Sequence, residues 1–467
     1  MILLEEGFEC MVQRRTSCSR FCSCFSAGVA LLCILGVLLT ACSNPLTQEQ
    51  GPSPTPKVSP TPTAVKLPPD SSNPQETGGC PYQPEKPKNL YLLSVPQSQL
   101  NTHQESLTLT ALNPASGQKI WSKDLGSQDF FDYVVKASDG VVAYFANYKQ
   151  SGTNNFSQAA AFDAATGKQL WSLPKQATFN ALSVCNQTVY LAGQEFLYAY
   201  EASTGKKAWE MKYSEVTDKG QVRVSSKAAI TVLPEHDDPN LCGVVSPCYS
   251  VYAFSPKSGK ALWKHVYPGQ GQIMQPYTVD VTEQAAYVLL SNSYEKSLQV
   301  DKLSLQDGQI LWSSSVKTPT GEKVDPFEFF IDNGAIVVYS ENEANHTESA
   351  TALSVENGSQ LWQFSSLLFA QPAHGNIYVL SASSNNDDPT CVFDSVRGQK
   401  RWCQNGAWYL FAIYGSTNLL AASGSAVYLQ TTDNTVMGML TNDGTKLWNY
   451  PSTKDKVDFT LLDLTLG

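Results

Sequence analysis

The chain is poor in charge: 16% of its 467 residues are Asp, Glu, Lys or Arg, and the balance is acidic, with a net charge of −10. A surface that grips phosphate chains through excess Lys and Arg is therefore not its general character, and no nucleic-acid partner is expected. Histidine is scarce as well. His103, His236, His265, His346 and His374 are scattered along the sequence, and there is no Gly-x-Ser-x-Gly elbow, phosphate loop or Cys-x-x-Cys pair. Long amphipathic helical periodicity is also missing, which argues against bundles and helical repeats. What is present is 42% apolar residues with 21 Tyr and 9 Trp, enough for a substantial core and too much for wholesale disorder. From residue 88 onward, short alternating runs are punctuated by Gly, Asn, Asp and Ser, which points to an all-β body.

The N-terminus reads as an address. Arg14, Arg15 and Arg20 precede an uncharged stretch that turns strongly apolar from residue 27 to 39, and this ends in Leu39-Thr40-Ala41-Cys42. Small residues before a Cys at the end of such a run look like a bacterial lipobox, so residues 1–41 are expected to be a signal peptide and Cys42 the lipidated first residue. Met11 is an alternative start, because the ten residues before it carry three Glu. A transmembrane anchor is the rival reading, but the run is shorter than the ~20 residues a span requires. Diacyl chains would hold the mature protein on a bacterial membrane, outside the cytoplasm. Residues 42–87 include Pro52, Pro54, Pro56, Pro60, Pro62, Pro68 and Pro69 among Ser and Thr. That composition buries no core and suits an extended tether.

Of 12 cysteines, Cys80, Cys185, Cys242, Cys248, Cys391 and Cys403 follow the lipid site. An even number outside the cytoplasm suggests disulfides. Cys391 and Cys403 are equidistant from Arg397 at a hairpin tip and should face each other, Cys242 and Cys248 bracket a short loop, and Cys80 with Cys185 is left by elimination. A metal site is the competing reading, without His at ligand spacing to support it.

Self-similarity decides the fold. An apolar strand, a turn ending in Gly, and a Trp four residues later recur eight times: Gly117 and Trp121, Gly167 and Trp171, Gly205 and Trp209, Gly259 and Trp263, Gly308 and Trp312, Gly358 and Trp362, Gly398 and Trp402, Gly444 and Trp448. Successive Trp lie 50, 38, 54, 49, 50, 40 and 46 residues apart, the length of a four-stranded propeller blade. Each unit is expected to be the two outer strands of a blade, with Gly supplying the positive φ of the turn. Blade one has only one strand before its hairpin, and residues 458–466 form a spare strand after the last Trp. Pairing of residues 458–466 with residues 89–95 would close an eight-bladed ring and hide two edges. The domain should span residues 88–467 as one propeller, expected to act as a single copy, with the eight Trp packing blades together.

The unit Asp-x-x-Thr-Gly-x-x-x-Trp, as in Asp163 to Trp171, resembles the quinoprotein-type, PQQ-like propeller repeat. The opening Asp recurs at Asp394 but becomes Asn113, Glu201 or Ser255 elsewhere. Two groups sharing this propeller bear on function. PQQ-dependent dehydrogenases hold a quinone and calcium on the axis, often over adjacent cysteines; this chain has no such pair, so neither PQQ nor calcium is expected and enzyme activity is not. The outer-membrane assembly lipoproteins are also lipid-anchored eight-bladed propellers, and that likeness implies a scaffold with an unknown protein partner. An extracellular sensor or solute-binding module is the further alternative.

One loop cluster stands apart: Glu235-His236-Asp237-Asp238, Asn385-Asn386-Asp387-Asp388, and Glu341, Glu343, His346 and Glu348. These fall between the second and third strands of their blades, on the face opposite the Gly turns. Asp237, Asp238, Asp387 and Asp388 are weak calcium candidates; solvated insertions are the plainer reading. Lys119, Lys168, Lys206, Lys207, Lys260 and Lys446 lie near the turns and read as solvated residues.

Overall fold

The structure is a computed structural model. It describes residues 86–467 apart from 100–104, 150–154, 175–177, 194, 213–221, 236–247, 268–273, 293–296, 318–323, 343–346, 382–389, 405–407, 410–419, 432–434 and 452–459. The fold is an eight-bladed propeller of four-stranded antiparallel sheets. Blade three shows the common plan: Phe179–Cys185 innermost, then Thr188–Gly193, Phe196–Glu201 and, outermost, Lys207–Lys212. Its second strand carries no charge and is buried at five of six positions, because blades cover both of its faces. The outer strand alternates with exposed positions, since it meets water on the rim.

The ring closes as the spare terminal strand suggests. Thr460–Leu466 is the innermost strand of blade one and pairs with Leu90–Val95, with Leu90 opposite Leu466 and Val95 opposite Thr460. Lys88 and Asn89 donate their N–H groups to the Gly467 carbonyl at 2.8 and 3.0 Å, and Gly467 donates back to Asn89 at 3.1 Å. The two chain ends are thus held side by side in one sheet.

Blades six and seven depart from the simple plan. The 14-residue strand Gln360–Ala373 is the outer strand of blade six in its first part and the inner strand of blade seven in its second, so the two blades form a continuous seven-stranded sheet. The register slips between Leu367 and Phe369 where it changes partner. Nothing in this stretch breaks a strand before Pro372, whereas other blades are separated by polar or Gly-containing links. In blade eight the inner edge is shared by Trp408–Tyr409 and Leu420–Ala422, both paired with Ala426–Thr431.

Candidate functional site

The repeat residues meet at the seams between blades. In all eight turns the Gly N–H donates to the carbonyl four residues back, as from Gly259 to Ser255 at 2.9 Å, and each of these glycines has positive φ. The opening side chain supports the turn. Asp163 Oδ1 accepts from Thr166 N–H at 2.8 Å and from its hydroxyl at 2.6 Å, and these bonds hold the carboxyl below its ordinary pKa. Asn113 and Asp394 accept from their own turns in the same way.

Each turn is covered by the Trp of the preceding blade. A Cβ built on Gly259 would stand 2.7 Å from the Trp209 ring, so this position needs glycine for its φ of +66° and for the close approach. The same contact recurs from Trp121 on Gly167 to Trp448 on Gly117, the seam that closes the ring. The indole N–H of each of the eight repeat Trp also donates to a carbonyl in the turn it covers. The acceptors are Ala164, Ala202, Pro256, Leu305, Val355, Ser395, Thr441 and, across closure, Pro114, at 2.7–3.3 Å. An aromatic body in an apolar seam with its one donor satisfied is the stable way to bury Trp.

Sequence reasoning missed a partner of these indoles. A buried Tyr on the second strand lies behind the Trp of its own blade: Tyr91 and Trp121, Tyr190 and Trp209, Tyr287 and Trp312, and Tyr428 and Trp448 have ring centroids 5.7–6.2 Å apart. Some turn carbonyls gather several donors. Ala164 O accepts from Trp121 at 3.1 Å, Tyr91 OH at 3.0 Å and Asn89 Nδ2 at 2.7 Å, and Val355 O accepts Trp312 and Lys302 Nζ. Burial pushes the Tyr91 hydroxyl up to about 12, against the bond from Asn89.

Among the described carboxyls, Asp332, at the first turn of blade six, has its pKa raised. It is buried, and its Oδ2 accepts from Gly375 N–H in the corresponding turn of blade seven at 2.7 Å. Burial raises its pKa to about 6, against the lowering effect of that bond and of Arg401. Arg401 Nη2 donates to Gly375 O at 3.3 Å and to Asp394 Oδ2 at 2.8 Å. Burial works against the Asp394 carboxylate, yet the Arg401 and backbone bonds hold its pKa below the ordinary value. The arrangement ties turns together. The Ser395 side chain also lies beside Asp332 and lowers its pKa.

Cys391 and Cys403 face each other across the outer strands of blade seven and form a disulfide, with Cα atoms 4.1 Å apart. Cys185 is also disulfide-bonded. Cys42, Cys80, Cys242, His236, Asp237, Asp238, Glu343, His346, Asp387 and Asp388 lie outside the described residues, as do His103, Asn385 and Asn386. Lys119, Lys168, Lys206, Lys207, Lys260 and Lys446 are exposed on the turn side. His265 packs against Tyr267 at 4.8 Å between ring centroids, and burial lowers its pKa. Among the described residues, no group of three or more His, Cys, Asp or Glu side chains is placed to hold a metal ion.

Eight blades joined by a glycine turn under an indole define the class: a propeller of the PQQ-like kind. The chain belongs to the family described as outer membrane protein assembly factor BamB, whose family model matches residues 105–284, 232–344 and 296–461. It is similar to outer membrane protein assembly factor BamB of Yersinia pestis, 23% identical over 329 residues, which covers 58% of this chain and 77% of that protein. Among solved structures it is similar to BamB from Moraxella catarrhalis, at 12% identity and a TM-score of 0.44, covering 74% of this chain and 90% of that one. It is also similar to quinohemoprotein alcohol dehydrogenase ADHIIG from Pseudomonas putida HK5, at 14% identity and a TM-score of 0.42, covering 67% and 65%.

Proposed function

We propose that the protein is a protein-binding scaffold that works outside the cytoplasm, held to a bacterial membrane through lipid on Cys42. The observation that carries this reading is how the eight repeats are used. Each recurring Trp, Gly and turn carbonyl is committed to joining one blade to the next, which makes a rigid ring with variable loops and a broad rim. Rigid presentation of surface is what recognition requires. The family's description as an assembly factor supports the same reading, and the partner is a protein of a membrane complex.

Site-specific photo-crosslinking on living cells tests the partner. Probes at exposed turn lysines such as Lys206 and Lys260 are expected to give discrete adducts with membrane proteins, and Trp263→Ala, which opens a seam, should abolish them. A bound quinone that co-purifies with the chain and is released by a calcium chelator would overturn the scaffold in favour of a dehydrogenase. Cys42→Ala should move the protein from the membrane to the soluble fraction. Calorimetric titration with calcium tests Asp237, Asp238, Asp387 and Asp388 separately, with no heat expected if those loops are only solvated.

A further inference from the structure

Charge divides the turn face of the ring into two unequal parts. In each repeat, the eight residues that end just before the Trp make the outer turn and the start of the outer strand. Together these eight stretches hold ten Lys or Arg against six Asp or Glu, in a chain whose net charge is −10. Blades seven, eight, one, two, three and four carry all ten, a continuous arc across the closure, whereas blades five and six carry only exposed Asp307 and Glu356 there. The four acids on the arc, Asp163, Glu201, Asp394 and Asp443, each accept a hydrogen bond within their own turn. Inner turns nearer the axis add exposed Lys227, Asp139 and Glu283, so the basic excess belongs to the rim.

Apolar side chains share this height. The residue before the Trp is Ile or Leu in six blades, and on the arc Ile120, Leu262 and Leu447 are 45, 46 and 42% exposed. Each lies within two residues of an exposed Lys: Lys119, Lys260 and Lys446. Because the same Trp-on-Gly contact joins every blade to the next around a closed ring, the turns stand at one level and the arc is a flat margin, cationic and studded with aliphatic groups. The chain also joins the ring here. Asn89 Nδ2 bonds Ala164 O in the blade two turn, and exposed Lys86 and Lys88 precede it, so the tether that ends at residue 87 meets the propeller at blade one, within the arc.

We propose that this arc of the turn face docks on an anionic bilayer surface, in place of the solvated role that the turn lysines suggest in sequence. The inference rests on the proposed placement at a membrane and adds an orientation: lipid holds the protein there, and the rim decides which face is turned to the bilayer. A partner that is flat and carries dispersed negative charge fits an arc of six blades at one level. Lys side chains reach headgroup phosphates while their stems lie along the neighbouring aliphatic groups. Ile120, Leu262 and Leu447 stand about two residues from the turns, roughly 7 Å of strand, which matches the ~5–10 Å to which apolar groups of interfacial proteins enter the headgroup boundary. Rim attraction alone is reversible, because it fades within a Debye length of ~10 Å at 0.1 M salt.

Flotation of residues 43–467, the whole tether and ring without leader or lipid site, tests this with vesicles of stated composition. At low salt the chain is expected to float with vesicles of phosphatidylcholine and phosphatidylglycerol, and not with phosphatidylcholine alone. Lys119→Glu combined with Lys446→Glu should weaken binding at least tenfold, since each basic residue near an anionic surface is worth roughly fivefold. Ile120→Ser with Leu447→Ser should also weaken it, whereas Leu311→Ser, off the arc in blade five, should not; unchanged thermal midpoints show that the ring is intact in each. Equal binding to both kinds of vesicle, binding to neither, or binding indifferent to the arc variants overturns the proposal. So does capture of the arc by a soluble acidic protein while the vesicles float alone. Photo-crosslinks from Lys206 and Lys260 to membrane proteins would stand under any of these results, so the scaffold reading is judged separately.

Discussion

Blades one and seven begin their second strands with nearly the same residues, Asn89-Leu90-Tyr91 and Asn376-Ile377-Tyr378, and use them to opposite effect. In blade one, Asn89 and Tyr91 bond each other and converge with Trp121 on Ala164 O, so every donor in the seam finds its acceptor. In blade seven, Trp402 reaches Thr441 O at 2.9 Å, but the Tyr378 hydroxyl and Asn376 Oδ1 are buried without hydrogen-bond partners. Burial drives the Tyr378 hydroxyl far above its ordinary pKa, and Asp332 adds to the shift. The same side chains therefore stabilise one seam and burden the other. A repeat motif fixes position, and the next blade decides its energetic sign.

The largest expected effect breaks the satisfied seam outright. Trp121→Ala should cost ~3–5 kcal/mol, the range for truncating a packed aromatic, because it strips the cover from Gly167 and removes one of three donors at Ala164 O. Urea unfolding measures this, and a change below ~1 kcal/mol would mean that the indole does not hold the blades together.

Next comes the acid–base contrast at the blade six to seven lock. The Asp332 pKa, about 6 when folded, lies above the ordinary 3.8, so the folded state holds the proton more tightly than the unfolded chain. Its contribution to stability is full below the unfolded pKa, is lost as pH rises from about 4 to 6, and stays lost above that, on the order of 2–3 kcal/mol. Asp332→Asn keeps an acceptor for Gly375 N–H without a charge. The stability difference between variant and wild type should therefore shift towards the variant between pH 4 and 7. A difference that does not move with pH would remove Asp332 as the titrating group.

The finest test uses one oxygen atom in each blade. Tyr91→Phe should lose ~1–2 kcal/mol, leaving Asn89 and Ala164 O with fewer bonds, whereas Tyr378→Phe should be neutral or stabilising by up to ~1 kcal/mol, because it deletes a buried hydroxyl that bonds nothing. Equal losses in the two variants would show that the seams do not differ in this way.

The ring, its blade count and its closure were legible because they rest on local signals. A Gly that needs positive φ and a Trp at fixed spacing recur in every unit, and a strand with no blade of its own must go somewhere. The tyrosines were legible too, had the repeats been aligned on their second strands, where Tyr91, Tyr190, Tyr287, Tyr378 and Tyr428 recur. Asp332 was not. In Phe330-Ile331-Asp332-Asn333-Gly334 it reads as an ordinary solvated turn residue, and its burial comes from a turn 43 residues away. The shared strand Gln360–Ala373 was hidden for a related reason: length alone does not reveal that a strand changes partner midway.

The closure in blade one also has a mechanical meaning. Leu90–Val95 is held between Thr460–Leu466 on one side and Glu105–Leu112 on the other. A pull applied along that strand would load both ladders in shear, many hydrogen bonds sharing the force at once. Peeling would take them singly. A ring pulled by its first strand would thus resist traction at the point where its two ends meet.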